Sequence, residues 1–575
     1  MKPIIFFFCT ALILSSCTKP DPNLQFDAFK NRYISDLWKT YPEWASSVGF
    51  HDYDSVLTIP NNESRTKSKA FAEATLNELK SFDLNTLSDN NKTDYRLIEN
   101  SAKGTIWSID EEKSFEWNPS NYNVAGIFAE MLNGNYDSLE NRLRMISLRL
   151  KNVPAFYEAA MSNIKNPTKE HTALAIKQNV GGKSVFTDDL KAAVEKSKLA
   201  ADEKQMITNR TNEAVSAIQK FADYLTTMKN ETPRSFRLGS ELYAKKFEFD
   251  IQSGYTAEQV YDRAVQHKKE IHAKMVKIAH QLWEQYMGKA NKPADSLKMV
   301  KMLIDKISVK HVKTEEFQSS IEKQIPELTK FVKENDLLYL DPSKPLVVRK
   351  EPDYMAGVAG ASISAPGPYD KNGNTYYNVG SLSGWSKADA ESYLREYNYY
   401  LMQILNIHEA IPGHYAQLVY SNQSPSMIKS ILGNGAMIEG WAVYTELMML
   451  ENGYGDNSPE LWLMYYKWNL RVTCNTILDI SVHTKNMSKD EALNLLINEA
   501  FQQQAEADGK WNRVNLTSVQ LCSYFSGFTE IYDFREELKQ QQKDKFNLKQ
   551  FHEKFLSYGS APVKYIKEMM TAENK

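Results

Sequence analysis

Apolar positions recur at helical spacing along most of the chain. Between residues 24 and 240, Leu and Ala alternate with Lys and Glu in steps of three and four, with polar interruptions such as Ile59-Pro60-Asn61-Asn62. Within Tyr136 to Val153, the residues Leu139, Leu143, Met145, Ile146, Leu148 and Leu150 predict one buried helix face. No repeat of fixed period shows, which argues against a solenoid. Farther on, Thr256 followed three residues later by Gln259 makes a capping-box pattern and predicts a long helix to about Tyr286. His267, His272 and His280 lie on it at intervals of five and eight, which do not make a metal-ligand pair, so packed or solvated roles are expected.

The texture changes between Pro352 and Ser386. Met355 to Pro366 is small and rich in Gly and Ala, Asn372-Gly373 signals a hairpin turn, and Thr375 to Val379 alternates like a strand. A small β element is therefore expected at about 352–382, inside an otherwise mainly α fold. Its role stays open between a strand whose free edge pairs with an extended peptide and a hairpin that covers the core.

Ser386 predicts the cap of a helix running into His408-Glu409-Ala410-Ile411-Pro412-Gly413-His414. Leu394, Tyr397, Leu401, Ile404, Leu405 and His408 form one stripe of it, which puts His408 on a buried face. A Glu beside a His, with a second His shortly after, begins many zinc hydrolases: the histidines hold the metal and the Glu acts on bound water. The usual spacing is H-E-x-x-H, and here two extra residues intervene. In a regular helix, residues four apart differ by about 40° around the axis and residues six apart by about 120°. Pro412 lacks an N–H and conflicts with the carbonyl of His408, and Gly413 relaxes the backbone. Together they predict a bulge that returns both histidines to one face. For the third ligand, Glu439 and Glu446 stand seven apart on one face of a helix through Gly435 to Leu450, with Gly453 as its stop. One would ligate while the other orients a histidine from behind.

Composition adds limits. The chain has 575 residues, 42% hydrophobic and 25% charged, with a net charge of −3. That is ordinary globular composition with no electrostatic footprint for nucleic acid. The length allows roughly two to four domains or one large helical body. At the N-terminus, Lys2 precedes an apolar run from Ile4 to Leu14, too short to span a bilayer. Leu14-Ser15-Ser16-Cys17 resembles the lipobox of bacterial lipoproteins, which implies cleavage before Cys17 and lipid on it. The expected layout is a signal peptide (1–16), a tether (17–23), an N-terminal helical region (24–240) and a catalytic region (241–575). The expected place is the bacterial cell envelope, facing the periplasm or the cell surface, with the lipid as the only membrane contact. Cys474 and Cys522 are expected as buried free thiols, and nothing in the sequence sets the oligomeric state.

The two central motifs carry a resemblance to the bacterial domain-of-unknown-function 885 family, whose members resemble zincin-type metallopeptidases. The matching stretches are His408 to His414 and Glu439-Gly440-Trp441-Ala442-Val443-Tyr444-Thr445-Glu446. Arg471 through Asp479 to His483, and Arg513 with Tyr524-Phe525-Ser526-Gly527, match in part. Weaker likeness begins near Leu238-Gly239-Ser240-Glu241, so the resemblance covers the C-terminal 330 residues or so, and the N-terminal part matches only in helical character. Glu439-Gly440-Trp441-Ala442 is also similar to the Glu-Gly-aromatic-Ala segment of gluzincin aminopeptidases, which implies Glu439 as third ligand and Glu446 behind it. The resemblance thus implies a zincin-like helical body holding one zinc ion per chain on His408, His414 and Glu439. Glu409 would act as general base in cleaving short peptides. Tyr524, His483 and Arg471 are the candidates for the oxyanion donor, with Tyr524 preferred from its place after the metal helices. Two other readings compete. One is a helical outer-membrane lipoprotein that binds glycans or peptides, to which 31 Tyr and 10 Trp would lend stacking surfaces. The other is a peptidase fold that binds without turnover.

Overall fold

The computed structural model describes residues 21–351, 361–370, 374–424 and 426–573. The signal peptide, Cys17, part of the Gly- and Ala-rich stretch and Asn372-Gly373 lie outside them. Helix accounts for 72% of the molecule, and its one described sheet has three strands, so the fold is mainly α.

Helix formation starts earlier than the expected tether allows. Asp21 caps Pro22–Thr40 by accepting from the Asn23 amide at 2.9 Å, with Pro22 in the first turn, where its missing N–H costs nothing. The 24–240 region divides between two cores. One packs Phe26, Phe29, Trp38 and Ile98 against Ile428 and Ile431 from far along the chain. The other gathers Phe128, Leu143, Ile146, Leu150, Phe186 and Phe221. In the predicted 136–153 helix, found at Leu139–Leu150, Leu143, Ile146 and Leu150 are buried, whereas Leu148 is 44% exposed and faces solvent. The third core takes in Trp117 and residues from Leu238 to Met570, and includes apolar residues of both motifs. Its longest helix, Ala257–Met287, starts with the Thr256–Gln259 capping box. His267 and His272 on it are engaged with Asn469 Oδ1 and the Glu499 carbonyl, both at 2.7 Å. Cys474 and Cys522 are buried free thiols. Among the described residues, no helix is long and apolar enough to cross a membrane.

The sheet differs from a simple hairpin. Strand β1 (Leu346–Lys350) pairs parallel with β3 (Thr375–Val379), and β2 (Ala361–Ser364) pairs antiparallel with it on the other side. The strand expected after Asn372-Gly373 is therefore central, with ladder bonds on both sides; among the described residues, β1 and β2 stand at the edges. Tyr377, fully buried on β3, donates to Asn406 Oδ1 at 2.8 Å and so fixes the sheet against the helix that carries His408.

Within the first core, buried charge ties the N-terminal helices to the chain around Ile428. Lys429 Nζ contacts Asp94 Oδ1 at 2.6 Å with both side chains fully buried; Lys30 and Ser426 also reach Asp94, at 2.9 and 2.8 Å. Removing one partner strands a charge that water cannot reach. Asp94→Ala leaves Lys429 Nζ with only Asn90 beside it. The expected loss is about 3–5 kcal/mol of stability, read as a lower urea midpoint; a wild-type midpoint would show the pair to be dispensable.

Candidate metal centre

The stripe leading to His408 belongs to two helices. Ser386 caps Lys387–Glu396, accepting from Asp389 N at 3.1 Å, and Asn398 caps Tyr399–Glu409, accepting from Tyr400 N and Leu401 N at 3.1 and 3.3 Å. The Asn398 side chain satisfies backbone donors that a continuous helix would have kept for itself. The motif also differs from the expected bulge. The helix stops at Glu409, residues 410–413 leave it, and a new helix, His414–Asn422, begins at the second histidine. The Ala410 and Ile411 amides both donate to the Asn406 carbonyl (3.0 and 3.2 Å), and Gly413 N reaches back to Ile407 O at 3.0 Å. The Ile411–Pro412 peptide is cis. A Cβ on Gly413 would lie 1.9 Å from the His408 carbonyl oxygen, so only glycine fits this turn. Trp441 Nε1 holds the turn from outside by donating to Pro412 O at 2.9 Å. The result brings the two imidazoles nearly perpendicular, 4.8 Å between centroids.

Glu439 arrives on the Gly435–Glu451 helix, whose cap Asn434 accepts from Met437 N at 2.8 Å. Glu439 Oε2 stands 3.3 Å from His414 Nε2 and 3.9 Å from His408 Nε2. One ligand atom from each of the three residues lies within 4.8 Å of the others. Two turns deeper, fully buried Glu446 accepts from His408 Nδ1 at 2.7 Å and from Trp468 Nε1 at 2.9 Å, both on Oε1. A carboxylate on Nδ1 fixes the proton there and leaves the Nε2 lone pair directed at Glu439 and His414. Two imidazole nitrogens and one carboxylate, with one imidazole oriented from behind, form a donor set that suits zinc.

Electrostatics mark the same place. Burial pushes the Glu409 carboxyl up to about 7, with His414 opposing and Glu439 reinforcing the shift. Burial, His414 and Arg471 together hold His408 well below the usual imidazole range. His414 goes the other way: burial opposes its charge, but the hydrogen bond and charge of Glu439 outweigh it.

Tyr524 lies near the cluster, on the Ser523–Gln542 helix. Burial and the Glu439 charge raise its phenol, and Arg513 pulls it back. The reason for this proximity is glycine. The Glu439 and Tyr524 helices cross where Gly440 meets Gly527; a Cβ on Gly527 would lie 1.7 Å from Ala436 O, and one on Gly440 would lie 2.3 Å from the Gly527 carbonyl carbon. The structure does not bring His483 to the cluster. Its Nε2 donates to the Val514 and Thr517 carbonyls, each at 3.0 Å, and it lines a separate polar cavity with His171 and Asn515. Arg471 also misses the ligand face: it pairs with Glu506 at 2.8 Å and lies over the Trp468 ring at 4.8 Å, behind the Glu446 side. Sequence reasoning missed Trp468. Its only signal was an indole three residues before Arg471, on the same helix face.

Two substitutions test this construction. Glu446→Gln is expected to weaken zinc affinity by about 10–100-fold in competition with a chelating dye; unchanged affinity removes Glu446 from the centre. Gly527→Ala is expected to push the two helices apart, lowering both zinc affinity and the unfolding temperature.

The model of the family described as "Bacterial protein of unknown function (DUF885)" matches residues 42–570. The likeness therefore extends through most of the N-terminal part, beyond the C-terminal 330 residues that the motifs alone covered. A candidate lipoprotein of unknown function from Shewanella oneidensis has a solved structure 54% identical to this chain, with a TM-score of 0.87, covering 95% of this chain and 99% of its own. A second, from Colwellia psychrerythraea, is 18% identical with a TM-score of 0.78, covers 96% of this chain and 99% of its own, and shares the fold. No curated protein matches the chain. With a family match over nearly its whole length, the chain belongs to the bacterial DUF885 family.

Proposed function

We propose that this protein is a zinc-dependent hydrolase that cleaves short peptides. The carrying observation is the meeting of His408, His414 and Glu439 within 4.8 Å, with Glu409 next to the first ligand in sequence. A zinc ion held by these three would polarise a peptide carbonyl and acidify a water molecule. Glu409, whose carboxyl is pushed up to about 7, is suited to take a proton from the attacking water and pass it to the leaving amine. Tyr524, raised above the ordinary phenol range, keeps its proton at neutral pH and would donate to the carbonyl oxygen as negative charge develops there. His483 and Arg471 have no part in this step. The Glu446–His408 bond keeps the ligand imidazole in one tautomer throughout.

The peptide substrate rests on the zincin resemblance of the two motifs, and the preference for short chains over folded proteins rests on analogy with other mainly helical bodies. The Leu14-Ser15-Ser16-Cys17 run, together with relatives described as candidate lipoproteins, supports a lipid anchor on Cys17 in the bacterial cell envelope.

Digestion of a peptide library is expected to stop with a chelator and to return with added zinc. Glu409→Gln should retain the metal while turnover falls by orders of magnitude; undiminished turnover would falsify its role as base. Tyr524→Phe is expected to lower kcat by about 10²–10³-fold with little change in metal content, and a wild-type kcat would assign the oxyanion to another donor.

A further inference from the structure

On the far side of Trp468 from Glu446 lies a cavity of about 530 Å³. Its wall is aromatic: Trp385 meets Tyr393 at 5.3 Å between ring centroids, and Tyr393 meets Tyr397 at 4.7 Å. Tyr397 continues to Trp468 at 6.3 Å. Trp385 is 47% exposed and marks the mouth, beside exposed Asp389. Deeper in, Glu396 is buried and its Oε2 holds Lys467 Nζ at 2.6 Å. Glu506 pairs with Arg471 Nε at 2.8 Å. The lining carries three carboxylates (Asp389, Glu396 and Glu506) and one guanidinium, Arg471, with Lys467 paired to Glu396.

Beyond that ion pair, the hydrogen-bonding capacity of the deep end is unspent. Apart from the Arg471 Nε contact to Oε1, the Glu506 oxygens, and likewise Arg471 Nη1, are shielded from solvent and lack a well-aligned hydrogen-bond partner. Such atoms cost free energy unless something satisfies them. Burial pushes the neighbouring Glu396 carboxyl upward, with Lys467 opposing and Glu506 adding to the shift, whereas Glu506 is held down against burial by Arg471, Lys510 and Lys467.

We propose that this cavity binds a primary ammonium carried on an apolar or aromatic residue: the N-terminal residue of a peptide, or the free amino acid released from one. An ammonium brings three donors, which can meet the open acceptor capacity of Glu506. The aromatic faces attract the cation and cover the apolar body. The oxygen next to an α-amino group, whether amide carbonyl or carboxylate, supplies the acceptor that Arg471 Nη1 lacks. The inference goes beyond the hydrolase reading, because binding here requires neither metal nor turnover.

Isothermal titration of the full chain with phenylalanine amide, phenylalanine and N-acetylphenylalanine amide tests it, in chelator-treated and zinc-loaded samples. The amine-bearing ligands are expected to bind equally in both samples, with the acetylated one at least tenfold weaker. Tighter binding of the amide assigns the site to a peptide N-terminus, and equal or tighter binding of phenylalanine assigns it to the free amino acid. Glu506→Gln and, at the exposed mouth, Trp385→Ala should each weaken binding tenfold or more while zinc content stays unchanged. No binding, equal binding of the acetylated ligand, or unaltered affinity in the folded Trp385→Ala variant overturns the proposal. A wild type that binds the amine but cleaves no peptide overturns the hydrolase reading and leaves this one standing.

Discussion

Side chains ordinarily hold packed helix axes about 8–10 Å apart. At Gly440 and Gly527 there are none to do so, and the backbones of the Gly435–Glu451 and Ser523–Gln542 helices come into contact. Glu439 precedes the first glycine by one residue and Tyr524 precedes the second by three, so this contact sets how near a carboxylate and a phenol can stand. Gly413 acts in the same way, letting the second histidine helix start against the carbonyl end of the first. The candidate centre is thus assembled at places where a methyl group would not fit. Its geometry follows from backbone approach more than from the functional side chains themselves.

This explains what the sequence disclosed and what it withheld. His408, Glu409, His414 and Glu439 stood out because their chemistry is rare in apolar surroundings, and the stripe through Leu401, Ile404 and Leu405 put His408 on a buried face. The seven-residue interval put Glu439 and Glu446 on one helix face, and the gluzincin resemblance implied which of them stands behind the ligands. The path of the chain between the histidines was not legible. Pro412 and Gly413 announce that the helix is disturbed, but whether the disturbance is a bulge or a break depends on what receives the freed backbone, here Trp441 from another helix. Asn398 was overlooked as a cap because the apolar stripe runs through it without interruption. Strand β1 was missed because it ends in Arg349 and Lys350 and lacks the small-residue texture of its neighbours. Arg471 and His483 were read as site candidates from motif position alone. The structure gives each a local partner, Glu506 for one and two backbone carbonyls for the other, that a linear motif does not reveal.

The ionic balance of the centre follows from burial. Glu409, Glu439 and Glu446 gather around two histidines, and Glu409 bears on Glu446 with like charge. Burial raises Glu446 well above the carboxylate range, against the Trp468 hydrogen bond and the positive charge of Arg471. Arg471 thus opposes that rise from a distance while pairing with Glu506. Crowded carboxylates in a low-dielectric space need positive charge close by. Arg471 supplies some of it from behind, and the remaining demand falls on the open side, where His408 Nε2, His414 Nε2 and Glu439 Oε2 converge. A divalent cation at that point would relieve all three carboxylates at once. A proton would relieve one of them and would consume either the base or a ligand.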